Sequence, residues 1–110
     1  MRKTISILLC SAVVVLLGAL PALAGGESAD ASAVYKAKCA MCHGPDGAGQ
    51  TAMGKKLNVR ALGSAEVQKM TDAQLTAIIN DGKGKMPAYK GKLNAGEVSG
   101  LISLIRKMKK

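Results

Sequence analysis

The sequence predicts a small all-α domain, because helix signals recur along it and strand signals do not. Two capping-box patterns place helix starts at Thr71 and Asn94, where the side chain three residues later, Gln74 or Glu97, can bond back to the cap. After the second cap an apolar stripe recurs at helical spacing; it comprises Val98, Leu101, Ile102, Ile105 and Met108. No stretch alternates apolar and polar residues as a half-buried strand does.

The remaining elements are predicted around these two helices. A first helix should begin near Asp30 and close at the cysteine pair of segment 39–42. Segment 43–54 is rich in glycine and should be a loop, and a short helix can run over 64–69. The helix after Thr71 should end at a glycine, from which a loop with Gly, Lys and Pro runs over 82–92.

The first 24 residues are predicted to be a cleaved signal peptide. Arg2 and Lys3 form a basic start, an apolar run follows, and Ala22-Leu23-Ala24 is a small-x-small cleavage site. A retained membrane anchor is the alternative, but the apolar run spans only about 16 residues, fewer than the roughly 20 of a spanning helix. Cleavage would leave a domain of residues 25–110 in the periplasm.

The predicted mature domain has few aromatic side chains with which to build a core. It contains no Trp or Phe, and Tyr35 and Tyr89 are its only aromatic residues. A domain this small buries a modest fraction of its surface even with a good core. We therefore expect a bound apolar group to complete the centre, and a haem offers the area of several aromatic side chains.

Residues 39–43 read Cys-Ala-Met-Cys-His, the C-x-x-C-H attachment signature of c-type haem. Cys39 and Cys42 can each add to one vinyl group of the porphyrin, which places His43 under the iron as a ligand. A thioredoxin-like redox pair would instead begin a helix after a strand. A zinc site would need about four ligands, but His43 is the only histidine and no second cysteine pair exists. Covalent haem c is therefore the favoured cofactor.

Met86 is predicted as the second axial ligand. Pro87 restricts it to extended backbone, and Gly82 and Gly84 allow its loop to fold against a flat ring. Met53, in its own glycine-rich loop, is the alternative. The other mature methionines are expected in the motif, before the Thr71 cap and on the last helix. A mere packing role for Met86 would leave the iron five-coordinate or bound to water.

At this point the chain resembles the class I c-type cytochromes of the small bacterial kind over nearly all of residues 29–108. Tyr35, four residues before Cys39, matches the family's aromatic on the first helix, and residues 85–89 and 100–107 resemble its ligand loop and C-terminal helix. The resemblance implies three to four helices wrapped around one covalently attached haem, with the last helix crossing the first. It also implies that Tyr35 lies beside the cofactor.

The sequence departs from this family at three points. Ala31 replaces the family's glycine on the first helix, and Leu104 replaces the aromatic on the last. The family often has a proline whose carbonyl orients the proximal histidine, but none occurs between Pro45 and Pro87. The sequence therefore does not identify an acceptor for the ring N–H of His43.

The charge of the predicted mature domain indicates which kinds of partner it binds. Removing Arg2 and Lys3 leaves 14 Lys and Arg against 7 Asp and Glu, a net charge of +7. Arg60 and the nearby Lys55 or Lys56 are candidate partners for the haem propionates, and solvated surface charge is the alternative. Six further lysines lie near the ligand loop and the attachment helix: Lys36, Lys38, Lys83, Lys85, Lys90 and Lys92.

The resemblance implies that these six lysines surround an exposed haem edge. Such a lysine ring would steer encounter with an acidic redox partner such as a membrane oxidase, a reductase complex or a dehydrogenase. A merely basic, soluble protein is the plainer interpretation. Nucleic acid is not expected, because no aromatics are interleaved with the charges, and anionic lipid would attract only weakly. A monomer is expected.

Together these residues predict an electron carrier and not an enzyme. The alternative is a haem enzyme or gas sensor with an open distal site, which requires that Met86 is not a ligand. Thiol–disulfide exchange at Cys39 and Cys42 is a third interpretation, and it fails if the purified protein carries covalent haem.

Overall fold

The computed structural model describes residues 29–110, where six helices are joined by turns and loops. The helices are α1 (Ala29–Lys38), α2 (Ala40–His43), α3 (Ala52–Lys56), α4 (Ala65–Gln68), α5 (Asp72–Asp81) and α6 (Ala95–Lys107). This part of the chain has isolated bridges but no strand, so the predicted all-α class is confirmed. None of these helices is long and apolar enough to cross a membrane. The predicted signal peptide lies outside the described residues.

The predicted helix starts are present. At α5, Thr71 N donates to Gln74 Oε1 at 2.8 Å and Gln74 N donates to Thr71 Oγ1 at 3.1 Å. At α6, Asn94 and Glu97 form the same reciprocal pair, with both bonds 2.8 Å long. Ser64 caps α4. Since each box satisfies two otherwise unpaired N–H groups, these local patterns fix where the helices begin.

Two boundaries differ from the prediction. The loop predicted over 43–54 already contains the start of α3, whose N-cap Thr51 accepts from Gly54 N at 2.9 Å. The first helix ends at Lys38 and Cys39 interrupts it, so the motif forms the separate turn α2. Helices of four or five residues are too short to repeat an apolar pattern, and for that reason periodicity does not reveal them.

The core lies between the first and last helices, as the resemblance implied, since α1 packs extensively on α6. Ala31 is completely buried, and Gly100 and Leu101 are buried on α6. The other buried apolar side chains form one cluster with Leu101: Tyr35, Val67, Leu75, Ile79, Leu93, Val98, Ile102 and Ile105.

Polar side chains fasten the α4–α5 connection to α6. Arg106 donates to the carbonyls of Gln68 (3.0 Å) and Met70 (2.5 Å) and to Asp72 Oδ1 (2.7 Å). In return, Gln68 Nε2 donates to the carbonyls of Leu62 and Ile105, each at 2.9 Å. The segment before α5 is therefore held on the last helix by charge-assisted bonds.

Candidate functional site

A largely apolar cavity of about 370 Å³ brings together the residues that the sequence predicted as a site. Cys39, Cys42 and His43 line it from the α2 turn, and Met86 lines it from the loop after α5. Its remaining wall is mostly apolar and comes from helices and loops across the domain; it includes Leu57, Val59, Leu62, Val67, Met70, Leu75, Ile78, Ile79, Leu101 and Ile105.

The α2 turn presents both cysteines to the cavity. The N–H groups of Cys42 and His43 donate to the Cys39 carbonyl at 3.2 and 2.9 Å, so the thiols sit one helical turn apart. Both are free and half-buried. Burial raises the pKa of the Cys39 thiol, with only partial opposition from Lys38. A thiol kept protonated is a poor nucleophile for disulfide exchange.

His43 is half-buried at the end of the same turn. Burial lowers the pKa of its imidazole, which favours the neutral form that metals bind. Its Nδ1 is buried and has no hydrogen-bond partner within residues 29–110. A buried polar atom left unpaired is rare and marks a functional position. The unpaired Nδ1 also agrees with the absence of a proline between Pro45 and Pro87, since no backbone carbonyl within residues 29–110 accepts a hydrogen bond from this nitrogen.

Tyr35 holds the chain where it leaves the motif. Its buried phenol donates to the Gly44 carbonyl, one residue beyond His43, at 2.6 Å. Gly49 N also donates to the His43 carbonyl at 2.7 Å. Burial raises the pKa of Tyr35 to about 12, so the phenol stays a donor at any physiological pH. Tyr35 thus lines the cavity and fixes the backbone beside the histidine.

Thr51 is a site residue that the sequence did not indicate. Its hydroxyl lies 2.7 Å from the Met41 carbonyl and 3.2 Å from the Cys42 carbonyl, and it caps α3 at the same time. Behind it, Gly54 packs so closely that a Cβ would collide with the carbonyls of Cys42 and Gly49. The available signal was a threonine three residues before a glycine, which is too common to assign a contact across the fold.

The methionines separate clearly in the structure. Met86 and Met70 are half-buried and line the cavity. Met53 is 40% exposed, Met41 is 72% exposed, and neither lines it. The alternative axial ligand, Met53, is therefore less well placed than Met86. Met70 enters the site although its sequence position, before a helix cap, gave no sign of this.

The loop that carries Met86 is tightly folded and tied at both ends. Met86 and Lys83 exchange backbone hydrogen bonds of 3.0 and 3.2 Å. Gly82, at φ 73°, has no room for a Cβ beside the Met86 carbonyl. Further along, Tyr89 N donates to the Ile79 carbonyl and Tyr89 Oη donates to the Lys38 carbonyl, both at 3.0 Å. The thioether is thereby held near the end of α1.

Arg60 lies at the edge of the cavity, where the sequence suggested a propionate partner. Its Nε is paired with Glu66 Oε2 at 3.0 Å, and both side chains are mostly exposed. Asn58 also lines the cavity, with an unusual φ of 52°. Lys55 and Lys56 do not line it.

The donor set fits an iron carried in a macrocycle better than a bare metal ion. Residues 29–110 hold no group of three or more His, Cys, Asp or Glu side chains that could bind a metal. A porphyrin supplies four ring nitrogens and needs only axial ligands from the protein. An apolar cavity lined by two thiols, one neutral imidazole and two thioethers, those of Met86 and Met70, meets that need.

Comparisons with known proteins agree with this geometry. Residues 26–105 match the family described as cytochrome C oxidase, cbb3-type, subunit III. The chain is similar to cytochrome c6 of Leptolyngbya boryana, with 38% identity over 77 residues that cover 70% of this chain and 80% of that protein. It is also similar to the solved KustC0563 c-type cytochrome, at a TM-score of 0.67 and 35% identity over 73% of this chain and 98% of that one. The c-type cytochrome XoxG from Methylobacterium extorquens AM1 matches at a TM-score of 0.56 and 26% identity, over 72% and 48% of the two chains.

Fold and site together define a small haem protein that carries electrons. The chain belongs to the class I c-type cytochromes, within the cytochrome family that it matches over residues 26–105. Its cofactor is one covalently bound haem c. It exchanges electrons with redox partners and is not an enzyme.

Proposed function

We propose that the protein is a periplasmic electron shuttle in which Cys39 and Cys42 hold the haem and His43 and Met86 are its axial ligands. The observation that carries this proposal is the shared cavity, which these four residues line together. His43 is the chain's one histidine, and Met86 is the half-buried methionine on a loop stiffened by Pro87. With His43 and Met86 both holding the iron, no substrate would reach the metal.

When bound, the haem supplies an iron that cycles between its ferric and ferrous states. The protein sets the reduction potential of the haem and keeps the residues that hold the haem in a constant geometry. Neutral His43 and the neutral thioether of Met86 add no charge, and the apolar wall limits water. This environment favours ferrous iron and raises the reduction potential. The bonds from Tyr35 and Thr51 keep the motif in place during the cycle.

Ligation is tested by replacing methionines in the holoprotein. Met86→Ala should abolish the near-infrared sulfur-to-iron charge-transfer band of the oxidised protein, lower its potential and open the iron to carbon monoxide. Met53→Ala is the matched control on the surface, and Met70→Ala is the control within the cavity wall; both should keep the band. A wild type without the band that binds carbon monoxide rapidly would favour the sensor or enzyme alternative.

Export is tested separately by intact mass spectrometry. We propose that residues 1–24 are removed, so the purified protein should begin at Gly25 and carry the mass of one haem. A retained leader would contradict the periplasmic proposal and leave the electron-carrier assignment untouched.

We also propose that the redox partner is acidic. Lys38, Lys83 and Lys85 line the cavity and are exposed, and Lys90 is exposed on the same loop as Met86. Positive charge at the cavity mouth attracts an acidic surface to the point where electrons leave.

Charge reversal tests this steering. The double variant Lys85→Glu, Lys90→Glu should slow electron transfer to an acidic oxidant. The double variant Lys109→Glu, Lys110→Glu, which changes the net charge equally but beyond the C-terminal end of α6, should slow it less. Raising salt should narrow the difference, because charges are screened within about 8 Å at physiological ionic strength. Equal effects of the two pairs would reduce the steering to net charge.

A further inference from the structure

We infer that Met41 and Met53 form the apolar centre of the surface on which the acidic redox partner docks. The inference rests on the proposed function, since it adds an apolar contact to the charge attraction already described. We call these two side chains the methionine patch. They lie on α2 and α3, two helices that pack on each other.

The patch is unusual within this domain. Met41 is 72% exposed and Met53 is 40% exposed, and they are the large apolar side chains that residues 29–110 leave open to solvent. Neither lines the haem cavity. Burying an exposed methionine side chain is favourable, so two that remain exposed leave free energy for association. Methionine is enriched in protein interfaces, where its flexible thioether adapts to different surfaces.

The backbone beneath the patch is held firmly. The Thr51 hydroxyl lies 2.7 Å from the Met41 carbonyl and accepts from Gly54 N at 2.9 Å, so one side chain joins both helices. Gly54, the neighbour of Met53, is buried against the Cys42 carbonyl. Such a preformed surface loses little backbone entropy when a partner binds.

Charge around the patch identifies the occupant. Neither α2 nor α3 contains an acidic residue, and the loop between them has one, the exposed Asp46. Lys38 precedes α2, Lys55 and Lys56 end α3, and all three are exposed. An apolar centre within a polar rim is the usual composition of a protein interface. The partner that complements the methionine patch and its lysines is an acidic protein with an exposed apolar surface patch.

The position also suits electron transfer. Met41 stands between Cys39 and Cys42, which both line the haem cavity. Tunnelling rates fall steeply with distance, so a partner seated on Met41 would approach the cofactor along a short path. The lysines would then set how fast the partner arrives, and the methionines how long it stays.

Holoprotein on modified gold electrodes provides a direct test without a natural partner. One monolayer ends only in carboxylates, and the other mixes carboxylates and methyl groups at equal surface charge. Wild type should bind the mixed monolayer about tenfold more tightly, which corresponds to about 1.4 kcal/mol. A Met41→Gln, Met53→Gln double variant should lose this preference while its haem spectrum and its binding to pure carboxylate remain unchanged. A Met41→Leu, Met53→Leu variant should keep the preference.

Two results would overturn the inference. The glutamine variant could keep the full preference for methyl groups, or wild type could show none. Failure of the proposed function looks different. Wild type that does not bind pure carboxylate at low salt contradicts the acidic partner, and a spectrum without the sulfur-to-iron band contradicts the ligation.

Discussion

Replacing Gly54 by alanine should destabilise this domain, although alanine usually stabilises a helix. In an ordinary helix interior the change gains about 0.5–1 kcal/mol. Here the new Cβ would lie 2.5 Å from the Gly49 carbonyl oxygen and nearer still to that of Cys42. Both obstacles are backbone atoms, so neither can rotate away. Overpacking of this kind costs about 1–3 kcal/mol, and with no flexible neighbour we expect the upper half of that range.

The net loss should therefore be about 1–2.5 kcal/mol, or a fall of about 4–20 °C in the unfolding midpoint of a domain this size. Thermal unfolding followed by far-ultraviolet circular dichroism measures it. Gly96→Ala on α6 is the matched control: its Cβ meets only Asn94 Oδ1, at 3.3 Å, so it should be neutral or slightly stabilising. A Gly54→Ala variant as stable as wild type would mean that α3 does not pack tightly on the motif.

Three further perturbations probe other contacts. Tyr35→Phe leaves the Gly44 carbonyl without its donor and should cost about 1–3 kcal/mol, measured by guanidinium unfolding. Because the pKa of Tyr35 is raised to about 12, from 10 when unfolded, its stabilising contribution is fully present below pH 10 and is lost between pH 10 and 12. The Tyr35→Phe variant should therefore lose less stability than wild type between pH 10 and 12. Parallel plots of unfolding free energy against pH for the two proteins would contradict this. Arg106→Ala should cost about 1.5–3 kcal/mol, since it removes charged donors from the half-buried carbonyls of Gln68 and Met70. Arg106→Lys should restore little of that stability, because an ammonium lacks the planar fork of a guanidinium, and full rescue by lysine would contradict this reasoning. Cys39→Ala should reduce covalent haem retention, judged by absorbance after acid-acetone extraction; unchanged retention would refute attachment at that residue.

The sequence predicted those parts of the fold whose patterns are contained within a few neighbouring residues. The starts of α5 and α6 were predicted because their caps are contained within four residues. The short helix α3 was missed because it has no repeat. Its anchor Thr51 was missed because its partners lie in the motif, nine and ten residues earlier.

The site was predicted as far as its chemistry is local. C-x-x-C-H and Met86-Pro87 are short patterns, and the structure places them on one cavity. Met70 gave no such pattern, and it lines the cavity because Arg106, 36 residues away, holds its carbonyl. The bond from Tyr89 to Lys38 spans 51 residues. Contacts of this length depend on how the whole chain closes, which no local pattern encodes.

The packing of α1 on α6 has a consequence for the order in which the protein matures. The two helices stand at opposite ends of the domain sequence, so the core of α1 cannot close until the chain through Lys107 is available. Contacts so distant in sequence form late in folding, because a long loop must first be ordered. The α2 turn follows α1 directly, and the cavity that its thiols face is lined in part by Leu101 and Ile105 of α6. The topology thus keeps the attachment site open to the haem until the last helix docks and encloses it.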